Sequence, residues 1–401
     1  MRRRAGDKWI GLVVVGSVAL SSGCVFGGDG NDDAASGEPS TSEHQLRVPS
    51  DGDLDDGCGE ASATDAADLA ADRTIARCES GAPEAVPLAR PATLRVGISA
   101  PTEDLAPVLL AAHFDEFAEE NLTVELVELP DPEALYAALG TGEVDVVAGD
   151  LDAPFFDLVH DGAGVRLALG GAIARRANDV TSPQPGLWLR NDQLTEPERF
   201  SDLENAHFAI ADGIADAVAA SVTAVIRQDD LSLNEVRIDL ASGAEAAEML
   251  HDGRVSGAWL DEPAWRSVQD NARFRLVATL PASESIGGIV FSRRLVDHEG
   301  DRAVGLAFTR AVVRTVNTYL ADDYQQDDEV VAALAEETGL SVEDVQATPP
   351  WLFDWELRAA TTERLQSTFV QLGAVIYEEE IPERDIVDRT LYRDAVAQVQ
   401  G

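Results

Sequence analysis

The sequence predicts an α/β protein with two similar lobes, each built on a mostly parallel sheet and joined by a hinge of two chain crossings. From residue 94 onward, segments typical of strands alternate with segments typical of helices, which indicates parallel sheets. The alternation restarts later in the chain, where HFAIADG (207–213) corresponds to RVGISAP (95–101). The end of the chain is mainly helical in pattern, and we expect it to return to the first lobe.

The elements of the first lobe follow from hydrophobic spacing and from turn residues. Apolar runs bounded by Gly, Pro or Asp predict strands, and apolar residues three or four positions apart predict helices. The predicted strands cover 94–100, 123–130, 144–149 and 165–171, and the predicted helices cover 107–122, 131–142 and 153–162.

The second lobe repeats this order. Its predicted strands cover 207–213, 236–241 and 255–260, and its predicted helices cover 217–228 and 244–253. The stretch GRVSGAWLD (253–261) also repeats GEVDVVAGD (142–150), with Gly, Val and Asp at the same three places and an offset of 111 positions. Corresponding elements at a near-constant offset indicate two similar structural units. The return segment contains the apolar run GGIVF and predicted helices over 301–321, 328–339 and 356–373.

The first 24 residues resemble a bacterial lipoprotein leader. Three arginines and Lys8 precede the uncharged run Trp9 to Leu20. That run is shorter than the roughly 20 residues of a membrane span and is typical of a secretory signal peptide. It ends in LSSGC, which is similar to the lipobox whose cysteine is lipidated and becomes the mature N-terminus. We therefore expect export, with Cys24 anchoring the protein to the outer face of the bacterial cell membrane, or a periplasmic location.

Residues 24–92 are predicted to form an acidic, low-complexity tether, because such a stretch buries too little apolar surface to offset its chain entropy. We expect partial order in it around a disulfide. Cys58 and Cys78 form an even pair in an exported protein, which indicates a disulfide more than a reactive or metal-binding site. The stretch 64–78 is compatible with a helix, and we expect the folded unit to begin near Thr93. The predicted segments are a signal peptide (1–23), the tether (24–92), the first part of lobe I (93–181), lobe II (182–286) and the return segment, mainly helices packing on lobe I (287–401).

The charge of the chain excludes one class of partner. With 73 Asp and Glu against 30 Lys and Arg, the formal net charge is −43. Lys8 is the only lysine, and the arginines do not form the basic stripe that phosphate binding requires. We therefore expect no nucleic-acid partner and an acidic surface that aids solubility.

Carboxylates stand where a ligand is expected. In open α/β sheets, ligands bind outside the carboxyl ends of the strands, and two facing sheets on a hinge form a cleft that closes on a solute. Asp150 and Asp261 end equivalent strands, Asp212 follows the HFAIA strand, and Glu262 adjoins Asp261. The alternative is that each residue only caps the next helix, because DLDAP, DGIAD and DEPAW are typical helix starts.

The folded part, over residues 93–395, resembles bacterial substrate-binding proteins for nitrate, sulfonate, taurine and thiamine-pyrimidine precursors. LRVGISAPTEDLAPVLLAAHFDEFAEENLTVELVEL and ALYAALGTGEVDVVAGDLDA are similar to the first lobe of that family, and FSDLENAHFAIADG and GAWLDEPAW are similar to its second lobe. The resemblance implies a type II periplasmic-binding-protein fold, a small solute as ligand, and an ABC permease with its ATPase as partners. We expect no cofactor and no catalysis. Ser256–Gly257 departs from the Asp-Ala that the family often has there.

Two ligand classes stay open. An anion such as nitrate or a sulfonate would need backbone N–H groups near Ser99–Thr102 and Gly213–Ala215, aided by the pair Arg175–Arg176. An amine-bearing or heterocyclic solute, which the sequence favours slightly, would need the carboxylates and an aromatic wall, for which Trp188 and Trp259 are candidates unless they are core residues. The residues predicted to contact ligand are Ser99, Pro101, Thr102, Gly149, Asp150, Trp188, Asp212, Gly213, Trp259, Asp261 and Glu262.

Other functions have less support. The two lobes could serve an exported sensor or partner-binding lipoprotein without transport. The resemblance extends to fungal pyrimidine-synthesising enzymes, but these carry a cysteine-rich motif in the folded part, whereas every cysteine here precedes Thr93. The six histidines are scattered without metal-ligand spacing, so we expect no metal site.

Overall fold

The computed structural model describes residues 46–49, 54, 57–58, 64–70, 72–174, 180, 183–196, 199–200, 206–227, 232–280, 285–297, 299–321, 323–359 and 361–397. The proposed signal peptide, the lipidation site Cys24 and the pair Arg175–Arg176 lie outside the described residues. Among the residues that the structure does describe, no helix combines the length and the apolar character needed to cross a membrane.

The described strands and helices alternate along the chain. The strands are β1 (Ala92–Ile98), β2 (Leu122–Glu128), β3 (Val146–Asp150), β4 (Arg166–Gly170), β5 (Ala172–Ala174), β6 (Gly186–Arg190), β7 (Leu194–Glu196), β8 (Arg199–Phe200), β9 (His207–Ile210), β10 (Arg237–Leu240), β11 (Gly257–Leu260), β12 (Phe274–Ala278), β13 (Gly287–Phe291) and β14 (Trp351–Phe353). The α-helices are α1 (Ala106–His113), α2 (Glu116–Glu119), α3 (Pro132–Thr141), α4 (Ala153–His160), α5 (Ala219–Ile226), α6 (Gly243–Asp252), α7 (Arg293–Asp297), α8 (Glu299–Tyr319), α9 (Asp328–Thr338), α10 (Val342–Ala347), α11 (Thr361–Leu372), α12 (Glu383–Ile386) and α13 (Thr390–Ala397).

Two equivalent five-stranded sheets form the framework. The first has the order β2-β1-β3-β13-β4, and the second has the order β10-β9-β11-β6-β12. The first three strands of each sheet are parallel, whereas β13 and β6 run antiparallel to both of their neighbours. Both sheets are therefore mostly parallel, which confirms the predicted fold class. We call the half with the first sheet lobe I and the half with the second sheet lobe II.

The antiparallel strands carry the chain between the lobes. β6 precedes the other strands of the second sheet along the chain, and β13 follows them but pairs in the first sheet. Each lobe therefore receives its fourth strand from the part of the chain next to a crossing. A short pair, β5 with β14, lies beside this region.

The repeated glycine-to-aspartate stretch has the same structure in both lobes. Gly142 ends α3 with φ 76°, and Gly253 ends α6 with φ 72°. These are left-handed conformations that glycine adopts without steric cost. The following strands, β3 and β11, each occupy the third place in their sheets, and they lead directly to Asp150 and Asp261.

One predicted helix is interrupted. The sequence indicates a single helix over 107–122, but Asp115 adopts a left-handed conformation with φ 60° between α1 and α2. At the end of α1, His113 contacts Phe114, with ring centroids 5.0 Å apart.

The folded unit begins earlier than the expected Thr93, because the described residues of 64–91 fold onto lobe I and the order around the disulfide extends through them. We call residues 64–91 the N-terminal strap. Ile75, Ala76 and Cys78 in it are buried. The described residues of 64–78 form turns and extended backbone, with one bridge from Thr74 to Arg47, so the helix considered for this stretch is not formed.

Specific bonds fix the strap to lobe I. The Asn317 side chain on α8 accepts a hydrogen bond from the Cys78 N–H at 3.0 Å and donates one to the Ala82 carbonyl at 2.8 Å. Buried Arg73 pairs with Asp354 at 2.9 Å. The disulfide between Cys58 and Cys78 is present, as predicted.

A buried ion cluster joins α8 to α2 and to the strap. Arg310 and Arg314 on α8 pair with the fully buried Glu120 at 2.6 Å and 3.1 Å. Arg314 also pairs with Glu116 at 2.5 Å, and Arg310 donates to the Val86 carbonyl of the strap at 2.9 Å. Because buried charges are costly unless paired and hydrogen-bonded, this cluster fixes how the three elements pack.

Candidate functional site

A cavity of about 540 Å³ lies between the lobes, at the carboxyl ends of the parallel strands. Its wall includes Ser99–Thr102 after β1, Asp150 at the end of β3 and Gly170 at the end of β4. Lobe II contributes Asp212 after β9 and Asp261 after β11. This is the edge of an open α/β sheet where ligands bind, and the cavity has the volume of a small-molecule site.

Most residues predicted to contact ligand line this cavity. They are Ser99, Pro101, Thr102, Gly149, Asp150, Asp212, Asp261 and Glu262. Gly213 is not part of the wall. The N-cap positions of the turns that follow are held by Asp152, Asp212 and Pro263, and none of these makes a side-chain cap hydrogen bond. Asp150 and Asp261 precede those positions, so the helix-capping alternative is not supported.

The two tryptophans proposed as a stacking wall do not line the cavity. Trp188 is 3% exposed and donates from Nε1 to the Gln184 carbonyl at 3.2 Å. Trp259 is 4% exposed, and its Nε1 donates to Asp261 Oδ1 at 2.9 Å. Both tryptophans are therefore core residues, and the hypothesis that they stack on the ligand is wrong. Trp259 instead orients a carboxylate that faces the cavity.

The aromatic part of the wall comes instead from the return segment. Trp351, Phe353 and Trp355 line the cavity in or next to β14. The guanidinium of Arg77, in the strap, lies 5.5 Å from the ring centroid of Trp355. The strap therefore supports the back of the cavity wall. No local pattern predicts these residues, because their position depends on pairing between segments far apart in the chain.

The wall contains nine carboxyl groups and, among the residues that the structure describes, no Lys, Arg or His. Five of the nine acids were not predicted from the sequence: Glu103, Asp104, Asp152, Asp216 and Asp354. Four of these stand within a few residues of a predicted site position, in PTEDL, DLDAP and DGIAD. Proximity to a strand end was therefore the signal that could have found them.

Two of the nine carboxylates are neutralised inside the protein. Glu262 pairs with Arg266 at 2.5 Å. Asp354 pairs with Arg73 at 2.9 Å and with Arg358 at 3.0 Å. The remaining seven have no ion pair with the described part of the chain: Glu103, Asp104, Asp150, Asp152, Asp212, Asp216 and Asp261.

Burial and like charges raise the pKa values of these acids. Desolvation raises the pKa of Asp150 well above its ordinary value, and the carboxylates of Asp104, Asp216 and Asp261 raise it further. Asp150 has accessible surface, but that surface faces the cavity. Surrounding protein atoms therefore still reduce the hydration of its carboxylate. Desolvation also raises the pKa of Asp152 well above its ordinary value, with further rises from Asp216 and Asp150.

Three further acids titrate near neutrality. Burial raises the pKa of Asp216 to about 7, although the Val218 N–H donates to its carboxylate. The accessible surface of Asp261 faces the cavity, and desolvation there raises its pKa to about 6, opposed by the hydrogen bond from Trp259. Burial raises the pKa of Glu103 to about 7, opposed by the hydroxyl of Tyr324. The cavity therefore holds carboxyl groups that lose their protons only with difficulty unless a cation accompanies them.

The lobes touch around the cavity. Asp152 Oδ1 in lobe I accepts a hydrogen bond from the Ala217 N–H of lobe II at 2.8 Å. Arg266 in lobe II donates to Thr348 Oγ1 at 2.7 Å, next to α10. Asn234 in lobe II donates to the Leu372 carbonyl at the end of α11 at 3.1 Å. These contacts describe a closed arrangement of the two lobes.

The fold is shared with solved binding proteins of import systems. The alkanesulfonate-binding protein SsuA from Xanthomonas axonopodis pv. citri, bound to MOPS, is 18% identical with a TM-score of 0.52, over 77% of this chain and 99% of that one. The zinc-bound ligand-binding component of an ABC-type import system from Staphylococcus aureus is 14% identical with a TM-score of 0.56, over 76% and 99%. The nitrate-binding protein NrtA from Synechocystis PCC 6803 is 12% identical with a TM-score of 0.53, over 77% and 89%.

No protein-family model and no curated protein sequence matches the chain. At these identities, the structural similarity establishes architecture and leaves the ligand to be argued from the site itself. In this chain, the fold consists of two matching lobes, a strand exchanged at each crossing and a cavity between the sheets. The chain therefore has the type II periplasmic-binding-protein fold.

Proposed function

We propose that the chain is an extracytoplasmic solute-binding lipoprotein that captures a small solute between its lobes and delivers it to an ABC importer. The observation that carries the proposal is the cavity, to which two equivalent strand ends, one in each lobe, contribute Asp150 and Asp261. A ligand held by both lobes stabilises the closed arrangement, which a permease can then recognise. Anchoring through Cys24 and export belong to the same proposal.

The charges of the cavity favour an amine-bearing or heterocyclic solute over a nitrate-like or sulfonate-like anion. The described wall offers seven carboxyl groups without an ion-pair partner and no Lys, Arg or His. An anion would require these acids to stay protonated, whereas a cation favours their ionised forms and gains from each of them. The anion class stays the second choice, because the pair Arg175–Arg176 proposed for it lies outside the described residues.

The proposal is tested by calorimetric titration of the mature chain without its lipidated Cys24 (residues 25–401) with amines, pyrimidines, sulfonates and nitrate. We expect at least one cationic or heterocyclic compound to bind. Replacing Asp150 and Asp261 together by Asn should weaken that binding about tenfold or more, because each lobe loses a carboxylate at the ligand. Asp270→Asn, an exposed acid of lobe II outside the cavity wall, is the matched control. Absence of binding by every compound would reject the proposal.

A sensor or partner-binding lipoprotein without transport is the alternative that this titration leaves standing. Proteoliposomes containing the permease and ATPase encoded beside this chain separate the two. An importer component should raise ATP hydrolysis and solute uptake when it is added with its ligand. Tight ligand binding without either effect, or the lack of such neighbouring genes, would favour the sensor.

A further inference from the structure

The carboxyl groups of the cavity are distributed over both lobes. Lobe I contributes Glu103, Asp104, Asp150 and Asp152, and lobe II contributes Asp212, Asp216 and Asp261. Hydrogen bonds from backbone or side-chain donors reach some of them, but no described cation does. A single positive charge placed in the cavity would leave most of these acids facing one another.

Glu103 provides an independent indication that a donor is missing from the site. Its side chain lines the cavity and is 5% exposed. Oε1 accepts a hydrogen bond from the Tyr324 hydroxyl at 2.7 Å, whereas Oε2 is buried without a hydrogen-bond partner in the described chain. The neighbouring Gln325 amide lies close enough to Glu103 to lower its pKa, but it donates to the carbonyls of Val345 and Thr348. A buried carboxylate oxygen without a donor is costly, and a ligand N–H group would satisfy it.

The rest of the wall is apolar. Leu135, Val312, Val316, Leu340 and Trp351 line the same cavity. These side chains cannot hydrate or coordinate an ion, but they can pack against methylene groups. The site therefore combines charge complementarity to cations with a surface for hydrocarbon.

Resting on the proposed function, we infer that the solute is an aliphatic di- or polyamine, with protonated nitrogens separated by methylene groups. Separate ammonium groups match carboxylates on opposite lobes, one of them can donate to Glu103 Oε2, and the methylene chain packs on the apolar wall. A divalent metal ion fits less well. Among the described residues, no group of three or more His, Cys, Asp or Glu is close enough to hold one, and such ions require several ligands at short distance.

The test is calorimetric titration of the mature chain at pH 8 with 1,4-diaminobutane, spermidine, 1-aminobutane, ethanesulfonate, a pyrimidine and Zn²⁺. We expect the di- and triamine to bind about tenfold or more tightly than 1-aminobutane, because the second ammonium meets a second set of carboxylates. Glu103→Gln and Asp150→Asn should each weaken diamine binding about tenfold. Asp270→Asn should not change it. Circular dichroism of each variant verifies folding, and Asp150→Asn, at the cavity surface, serves if Glu103→Gln does not fold.

The outcomes separate this inference from the function on which it rests. Equal affinity for 1-aminobutane and 1,4-diaminobutane, or tighter binding of Zn²⁺, overturns the di- or polyamine. Binding of ethanesulfonate or the pyrimidine without binding of amines overturns it as well, while solute capture stands. If no compound of any class binds, both proposals fail.

Discussion

At the scale of single residues, the cavity acids determine how the protein responds to pH. Asp261 has its pKa raised to about 6 by burial, whereas an unfolded Asp titrates near 4. A raised pKa in the folded state means that the neutral form is favoured by folding. The contribution of neutral Asp261 to the free energy of unfolding is therefore complete below the pKa of the unfolded chain. It is lost as the pH rises through about 6.

We expect Asp261→Asn to stabilise the ligand-free chain at pH 8 relative to the wild type, and to do so much less at pH 4.5. Asn keeps an oxygen that can accept the hydrogen bond from Trp259 Nε1, but it never acquires the charge that burial penalises. Differential scanning calorimetry at the two pH values measures the change. Asp270→Asn on the exposed face of the same lobe is the control. A melting-temperature difference that is independent of pH would contradict the assignment of Asp261 to a desolvated site.

At the scale of elements, the strap, α2 and α8 form one joint around Glu120. This carboxylate pairs with Arg310 and Arg314, and it accepts a hydrogen bond from the Val86 N–H of the strap at 3.2 Å. The Leu88 N–H donates to the Glu120 carbonyl at 2.9 Å. One residue thus holds three segments together in a buried environment.

Replacing Glu120 by Ala should cost about 3–5 kcal/mol of unfolding free energy, because two buried guanidinium groups lose their shared partner. The adjacent Glu119 is a matched control, since its side chain is 62% exposed. Glu119→Ala should change stability by no more than about 0.5 kcal/mol. Urea unfolding of the mature chain gives both values. Equal effects of the two substitutions would show that the cluster contributes little.

Local pattern explains which elements and site residues could be predicted from the sequence. The period of apolar residues and the helix-ending glycines Gly142 and Gly253 are local signals, and they lead to Asp150 and Asp261 at strand ends. The strap could not be predicted this way. Its order depends on partners such as Asp354, which is 281 positions from Arg73. The same long-range packing buries Trp188 and Trp259 in lobe II and brings Trp351 to the cavity in their place.

At the scale of the whole molecule, like charges face one another across the closed cleft. Asp150 and Asp152 belong to lobe I, and Asp216 and Asp261 belong to lobe II. The carboxylates of Asp216 and Asp261 raise the pKa of Asp150 across the cleft, and Asp216 also raises the pKa of Asp152. Repulsion between the lobes grows as these groups lose their protons. A ligand that supplies positive charge removes that repulsion and favours closure.

We therefore expect the ligand-free chain to become more open as the pH rises from 5 to 8. Small-angle X-ray scattering should show a larger radius of gyration at pH 8 than at pH 5, and a smaller one again at pH 8 when the solute is bound. The double variant Asp150→Asn with Asp261→Asn should show a weaker pH effect. A radius that stays constant under all these conditions would mean that the acids do not control opening.

The attachment of the strap has a mechanical consequence. The described bonds of the strap lead to α8, to Glu120 and to residues 354–359, all on the lobe I side of the crossings. A force applied along the chain from the N-terminus is therefore transmitted to lobe I. Lobe II is then the part that moves when the cleft opens. Under the proposed function, a permease would distinguish the ligand-bound form by the position of lobe II relative to lobe I.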